Sequence, residues 1–436
     1  MAAITDDVTD ILQDRMIRDE YNVWKKNSPF LYDSVISSAL VWPSLTCEFL
    51  PTLKPLDDDF VEHQLLLGTH TGGGEMNHLM VASVCLCEDG HVLVDEKSYD
   101  ETKGEVGGHS SGSSGGGPKA PKPGKVDIKV KINHEGEVNR ARYMPQNSFV
   151  VATKSPSSEV FIFDISKHPS APKDETSFKP QHRCLGHTKE GYGLAWSPHD
   201  KGHLISGSED GVVCIWDINE QALSVQANGK LKGHSAPIWD VAWHMKESSM
   251  IGSVSSDKSV ILWDTRKNVA AHTIAAAHEK DINSISFNPI NEHLFATGSA
   301  DNTVGLWDKR NLKTKLHSFT GHKDEVFQVQ WAPFNESILA SSSSDRRVNV
   351  YDLSRIGQEQ DPEDAEDGPP ELLFIHGGHT GGVNDFCFNA NDPWTVASVS
   401  DDNLIQVWKM AEDIYADFDD DDEDKVMEKL EDEDLE

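Results

Sequence analysis

The sequence predicts an all-β protein, a seven-bladed propeller preceded by one α-helix and followed by an acidic tail, and three observations carry the prediction. A histidine recurs at His134, His187, His234, His278, His322 and His379, usually as Gly-His. An aromatic residue follows each at a gap of 29 residues (216 minus 187, 307 minus 278): Phe163, Trp216, Trp263, Trp307, Tyr351 and Trp408. Five units also hold an aspartate six residues before the aromatic, at Asp210, Asp257, Asp301, Asp345 and Asp402, while the first has Ser157 there.

Six units at one spacing exclude chance. Each reads as a four-stranded blade that is too small to bury both faces alone, so blades stack around an axis. The pattern is that of WD-repeat proteins. The resemblance implies that the histidine, a strand Ser or Thr such as Ser299, the turn aspartate and the tryptophan form one hydrogen-bonded network. These residues are therefore structural, although His278, Asp301 and Trp307 taken alone look catalytic. Six units do not close a seven-bladed ring. The missing blade is expected between about Ser34 and Lys131, from the runs LVWPSLTCEFL, HQLLLGTH and NHLMVASVCLC. That degenerate blade is expected to be closed by strands from both ends of the chain.

Thr5 to Lys26 reads as a helix, capped by Thr5 with Asp6 and Asp7 in its first turn. Val8, Ile11, Leu12, Met16, Ile17, Tyr21 and Trp24 follow helical spacing and predict an apolar docking face. Asn27-Ser28-Pro29 is the expected stop. The domain reading is helix and linker over 1–33, propeller over 34–411 and an acidic disordered tail over 412–436. Two excursions interrupt the propeller: a Gly/Ser/Pro/Lys insert over 102–125, and an acidic Pro-Pro loop over 357–371.

The 436 residues carry a formal charge of −34. Phosphate backbones would be repelled, so basic partners are favoured over direct nucleic-acid binding. The acidity is clustered. The Pro-Pro loop holds seven acids (Glu359, Asp361, Glu363, Asp364, Glu366, Asp367, Glu371) and no base, and Leu372-Leu373-Phe374-Ile375 follows. A stiff acidic ridge beside an apolar strip suits an amphipathic helix bearing arginines. The tail from Glu412 to Glu436 has 15 acids against two lysines.

No apolar run has the length of a spanning helix, and no secretory signal is visible in MAAITDDVTD. Cys47, Cys85, Cys87, Cys184, Cys214 and Cys387 lack metal-type pairing and read as reduced packing residues. Gly108-His109-Ser110-Ser111-Gly112 matches a hydrolase pattern. It lies in low-complexity sequence without the strand-to-helix elbow that chemistry needs. No cofactor, metal, small-molecule substrate, membrane contact or enzymatic activity is expected.

The first strand of each unit starts just after the repeat histidine, so positions three and five beyond it are expected around the axis on one face. They are Glu137 and Asn139, Glu190 and Tyr192, Pro237 and Trp239, Asp281 and Asn283, Glu325 and Phe327, and Gly382 and Asn384. Carboxylates with amides and aromatics in a ring suit a basic peptide.

Several stretches go beyond a generic propeller: YNVWKKNSPFLYD, WPSLTCEFLP, LLLGTHT, NHEGEVNRARYMPQN, KEGYGLAWSP, DEVFQVQW and PEDAEDGPPELLFIHGGHT. They resemble the retinoblastoma-associated histone-binding WD-repeat family, which includes the multicopy-suppressor-of-Ira proteins, from about Asp10 to Tyr415. The resemblance implies that the first helix of histone H4 binds between the N-terminal helix and the Pro-Pro loop, at Leu31, Asp364, Asp367, Phe374 and Ile375. It also implies that basic peptides, the histone H3 tail among them, bind the narrow face at His70, Glu137, Asn139, Glu190, Tyr192, Asn283, Glu325 and Phe327. The implied assemblies are chromatin assembly factor 1, Polycomb repressive complex 2 and deacetylase complexes, with nuclear residence and a cytoplasmic pool allowed. Val41, Trp239 and Gly382 depart from the family's usual Glu, Glu and Lys and imply retuned peptide recognition. The alternative reading is a substrate receptor of a cullin-type ubiquitin ligase, through the WDxR matches at Arg266 and Arg310.

Overall fold

The computed structural model describes residues 2–56, 60–87, 99–100, 105–106, 125–174, 177–218, 222–362 and 364–416, the side chains of 2–10, 99–100, 105–106 and 364 excepted. Most of the 102–125 insert, including the Gly108–Gly112 pattern, lies outside them, as does the tail beyond Ala416.

Seven antiparallel sheets follow one another around an axis. Blade 1 is Cys47–Pro55, Phe60–Gly68, Asn77–Cys87 and Asp127–His134, from the region where the sequence placed a degenerate unit. Blades 2 to 6 start at Arg140, Leu194, Ile238, Ile282 and Val326, each just past its repeat histidine. Blade 7 joins Val383–Phe388, Thr395–Ser400 and Leu404–Met410 to the N-terminal strand Tyr32–Ala39, which pairs with the last strand from Tyr32↔Met410 to Ala39↔Leu404. Both chain ends thus close the ring in the last blade. The degenerate blade is self-contained, because its four strands are already contiguous between Cys47 and His134. The loop Leu40–Thr46, read as part of a strand, crosses instead from blade 7 to blade 1.

The core lies between neighbouring blades. Blades 4 and 5 share Val254, Leu262, Ile285, Phe287 and Trp307; blades 6 and 7 share Tyr32, Val350, Phe374, Phe386 and Trp408. The repeat residues tie each blade's outer turns. In blade 5 the His278 Nε2 bonds Thr297 Oγ1 at 2.8 Å, its Nδ1 faces Asp301 at 3.1 Å, and Trp307 Nε1 donates to Thr297 at 2.9 Å. Ser341 and Ser398 take the Thr297 role in blades 6 and 7. The strand partner is therefore Thr297, not Ser299, whose hydroxyl donates to Asp281 O two residues further along the same face. Burial holds His187, His234 and His278 below the ordinary imidazole range. Burial opposes ionisation of Asp210, Asp257 and Asp301, but hydrogen bonds from histidine, hydroxyl and backbone donors outweigh it and hold these carboxyls low. Neutral imidazole against ionised carboxylate is the resting state of these turns.

The N-terminal helix, α1, runs Ala2–Leu31, so Thr5 lies inside it and is not its cap. It also passes through the expected stop at Pro29. Proline deprives the Lys25 carbonyl of its helical partner, and Ser28 Oγ donates to that carbonyl at 3.0 Å instead. Past the last strand, Glu412–Tyr415 forms a helical turn whose Tyr415 stacks on Trp394 at 4.3 Å. The packed chain therefore reaches Ala416, beyond the boundary expected at 411.

Candidate functional site

Two surfaces gather the residues singled out in the sequence. The first is the mouth of the axial channel. A cavity of about 740 Å³ opens there, lined among others by His70, Asn139, Tyr192, Trp239, Asn283, Glu325 and Phe327. A β-bulge aims several of these side chains. The strand pairings of blades 4 to 7 skip one residue each, at Trp239, Asn283, Phe327 and Asn384. An unpaired bulge residue is free to turn out of the ladder, and this places the fifth position after each histidine on the mouth. Polar partners then fix the side chains. Asn283 donates to Val326 O at 2.9 Å and Asn384 to Asp401 at 2.7 Å. Trp239 Nε1 donates to Ser256 Oγ at 2.7 Å, and that hydroxyl donates to Asp281 at 2.6 Å. The Tyr192 and Trp239 rings meet at 5.7 Å. Burial, then the carboxylates Glu190, Glu209 and Glu137, raise the Tyr192 phenol. His70 faces Glu137 at 3.2 Å. Val41 is 83% exposed on the loop into blade 1.

Directly below the mouth, the next residue of each first strand lines the channel, where sequence reasoning had foreseen nothing. Asp385 accepts from Arg142 at 3.1 Å and from the Cys47 N–H at 2.9 Å, with Arg140 at 3.6 Å. Asp240 accepts from Ser284 Oγ and Ile285 N. The network joins blades 7, 1 and 2 and, separately, 4 and 5. Its members are 243 residues apart in the Arg142–Asp385 pair, so no local pattern in the sequence points to it.

The second surface lies between α1 and the acidic loop. The C-terminal half of α1 is fastened by a directional chain of hydrogen bonds. Trp24 Nε1 donates to Tyr32 Oη at 2.9 Å, and Tyr32 Oη bonds His376 Nδ1 at 2.8 Å. His376 Nε2 bonds Gln406 Oε1 at 2.8 Å. Since Tyr32 accepts from Trp24, its own proton goes to His376, whose Nε2–H then serves Gln406. Burial holds His376 well below the ordinary range, consistent with a neutral ring. Glu20 adds ion pairs to Arg346 and Arg347 at 2.7 and 3.1 Å.

The rest of the helix's apolar surface does not dock. Ile11, Leu12, Met16, Val23 and Phe30 are 51–66% exposed, against the expectation that one face packs on the propeller. Met16, Val23 and Phe30 are seven residues apart and form one stripe. Across from the helix's end, strand Leu372–His376 presents Ile375 at 41% exposure. Phe374, expected beside it, points into the core against Tyr32 at 5.3 Å. The pairing skips Leu373, between Val350↔Phe374 and Tyr351↔Leu372, so the strand's alternation shifts there. Leu31 is half-buried against the same core. The acidic loop makes a helical turn, α2, at Asp364–Asp367; Asp367 is exposed, while the Asp364 side chain lies outside the described residues. Gly368 follows at φ 142°, a conformation that side-chain-bearing residues rarely adopt. Buried Glu371, bonded to His317 at 2.7 Å, anchors the loop's far end.

Arg266 and Arg310 fold back on the aspartates of their own turns, at 2.8 Å to Asp264 and 2.6 Å to Asp308. They do not converge with either surface. Among the described residues no group of three or more His, Cys, Asp or Glu side chains could hold a metal ion, and no helix is long and apolar enough to cross a membrane.

Comparison with known families bears on both surfaces. Residues 19–88 match the family described as histone-binding protein RBBP4 or its counterpart in the CAF1 complex, a stretch that begins in α1 and runs through most of blade 1. Residues 178–217, 226–264, 271–308, 313–352 and 370–409 match the WD domain, G-beta repeat. Both describe non-catalytic scaffolds, one of them histone-binding. The chain belongs to the RBBP4-like family of histone-binding WD-repeat proteins.

Proposed function

We propose that this histone-binding scaffold holds the first helix of histone H4 between α1 and the acidic Pro-Pro loop. The observation that carries the reading is an uncovered apolar strip, Val23 and Phe30 of α1 with Ile375, placed beside the exposed acids of α2. An amphipathic helix with arginines on one side complements both halves. Asp364 and Asp367 are assigned to an arginine, and Ile375 to the apolar side; Phe374 acts from the core by holding the strand. The narrow mouth takes a basic peptide, with Glu137, Glu190 and Glu325 facing its cations. The protein then works as a chromatin-assembly or silencing subunit in the nucleus, of the kind found in chromatin assembly factor 1, Polycomb repressive complex 2 or deacetylase complexes.

Titrating a labelled H4 first-helix peptide into the full chain tests the groove. Asp364→Ala/Asp367→Ala and Ile375→Asp are each expected to abolish saturable binding. Unchanged affinity in both would overturn the assignment.

A further inference from the structure

The narrow mouth is not uniformly acidic. Glu137 and Glu190 stand on blades 2 and 3, but Lys258 and Lys280, both exposed, line the cavity at blades 4 and 5. Among the described residues neither lysine has an ion pair. Their neighbouring acids are engaged elsewhere: Asp257 faces His234 at 3.0 Å, and Asp281 accepts from Ser256 at 2.6 Å.

The backbone singles out Lys258. The residue after each turn aspartate takes positive φ: Gly211 at 73°, Lys258 at 65°, Asn302 at 69°, Arg346 at 72° and Asn403 at 63°. Glycine and asparagine enter that region at least cost, whereas a long side chain is strained there. Of the two long cations, Arg346 is held by Glu20 at 2.7 Å. Lys258 has no such compensation within the chain, and strain retained at a cavity points to a role there. Between the acidic and basic sectors stands Trp239, locked through Ser256, as a rigid apolar wall.

We propose that the mouth is bipolar and takes a peptide segment carrying a cation and an anion within a few residues. The cation faces blades 2 and 3, and the anion, a carboxylate or phosphoryl group, rests on Lys258 and Lys280. The proposal rests on the reading of the mouth as a peptide site. Charge order around the ring then selects among basic segments, because a purely basic one meets two lysines.

The test uses the full chain and fluorescence anisotropy with alanine-based peptides holding one arginine. At one to four residues from it, each peptide carries glutamine, glutamate or phosphoserine. An arginine-rich peptide serves as a separate probe of the mouth. The best glutamate or phosphoserine peptide is expected to bind about fivefold tighter than its glutamine counterpart, the scale of one or two exposed ion pairs. K258E/K280E, at exposed positions, is expected to reverse that order while leaving thermal unfolding unchanged. Tightening by phosphoserine alone identifies a phosphoryl group as the anion; tightening by both admits a carboxylate. If the glutamine peptide binds as well or better, the bipolar mouth is overturned and the basic-peptide site stands. If the arginine-rich peptide also fails to bind, both fall.

Discussion

Replacing Tyr32 by phenylalanine removes one oxygen and should loosen the whole N-terminal helix. The ring would stay packed against Phe374 and Trp408, at 5.3 and 6.2 Å, so no cavity opens. The missing hydroxyl strands two groups: the Trp24 indole N–H, bonded at 2.9 Å, and His376 Nδ1, bonded at 2.8 Å. His376 is fully buried, and an unpaired buried polar atom costs about 1–3 kcal/mol. Trp24 is half-buried and contributes about 1 kcal/mol. Docking of α1 should therefore weaken by roughly 2–4 kcal/mol, or about 30-fold to 1000-fold in the opening equilibrium. Hydrogen exchange reads this directly. Amides of residues 12–31 should exchange faster by at least about tenfold, while the blade strands 282–343 keep their protection. H4-helix affinity should fall in parallel, since α1 forms one wall of the groove. Protection of α1 within about threefold of wild type would refute the reasoning, because the Trp24–Tyr32–His376 chain would then not hold the helix.

Three further outcomes follow from the same geometry. Thr297→Val leaves His278 Nε2 and Trp307 Nε1 unpaired in blade 5 and should cost about 2–4 kcal/mol in chemical denaturation, the two groups being buried. Folded-state pKa values of His187, His234 and His278 lie below the ordinary range, and that of His134 is lowered to about 4, so unfolding takes up protons. Stability is thus full above about pH 6.5 and falls as the pH drops toward 4, which thermal melts across that window will register. Arg346→Ala, which breaks the 2.7 Å pair with half-exposed Glu20, should weaken α1 docking by about 1 kcal/mol or less in the same exchange experiment.

The repeat was legible because its signal is local and redundant. A histidine, an aspartate and an aromatic at one spacing locate each blade, and the strand-like runs before Lys131 supplied the seventh. The mouth was legible as well: positions three and five past each histidine reach it, helped by bulges at Trp239, Asn283, Phe327 and Asn384. What failed to show depended on one-residue shifts or distant partners. The skip at Leu373 exchanged the fates of Phe374 and Ile375. The Ser28 hydroxyl carried α1 through Pro29, a local compensation that spacing rules do not weigh. The Arg142–Asp385 pair bridges 243 residues and exists only once the ring is closed. The exposed stripe of α1 shows the same limit from the other side. Helical periodicity identified its apolar residues, but only the fold reveals that Met16, Val23 and Phe30 are left uncovered.

The central claim is that an apolar strip and an acidic turn together make a groove for a basic amphipathic helix. Its most direct test is the affinity of the full chain for an H4 first-helix peptide at near-physiological salt, measured for wild type and for Ile375→Asp. Saturable binding by the wild type, lost in the variant, is the predicted result. Absence of binding by the wild type, or equal binding by both, would contradict it.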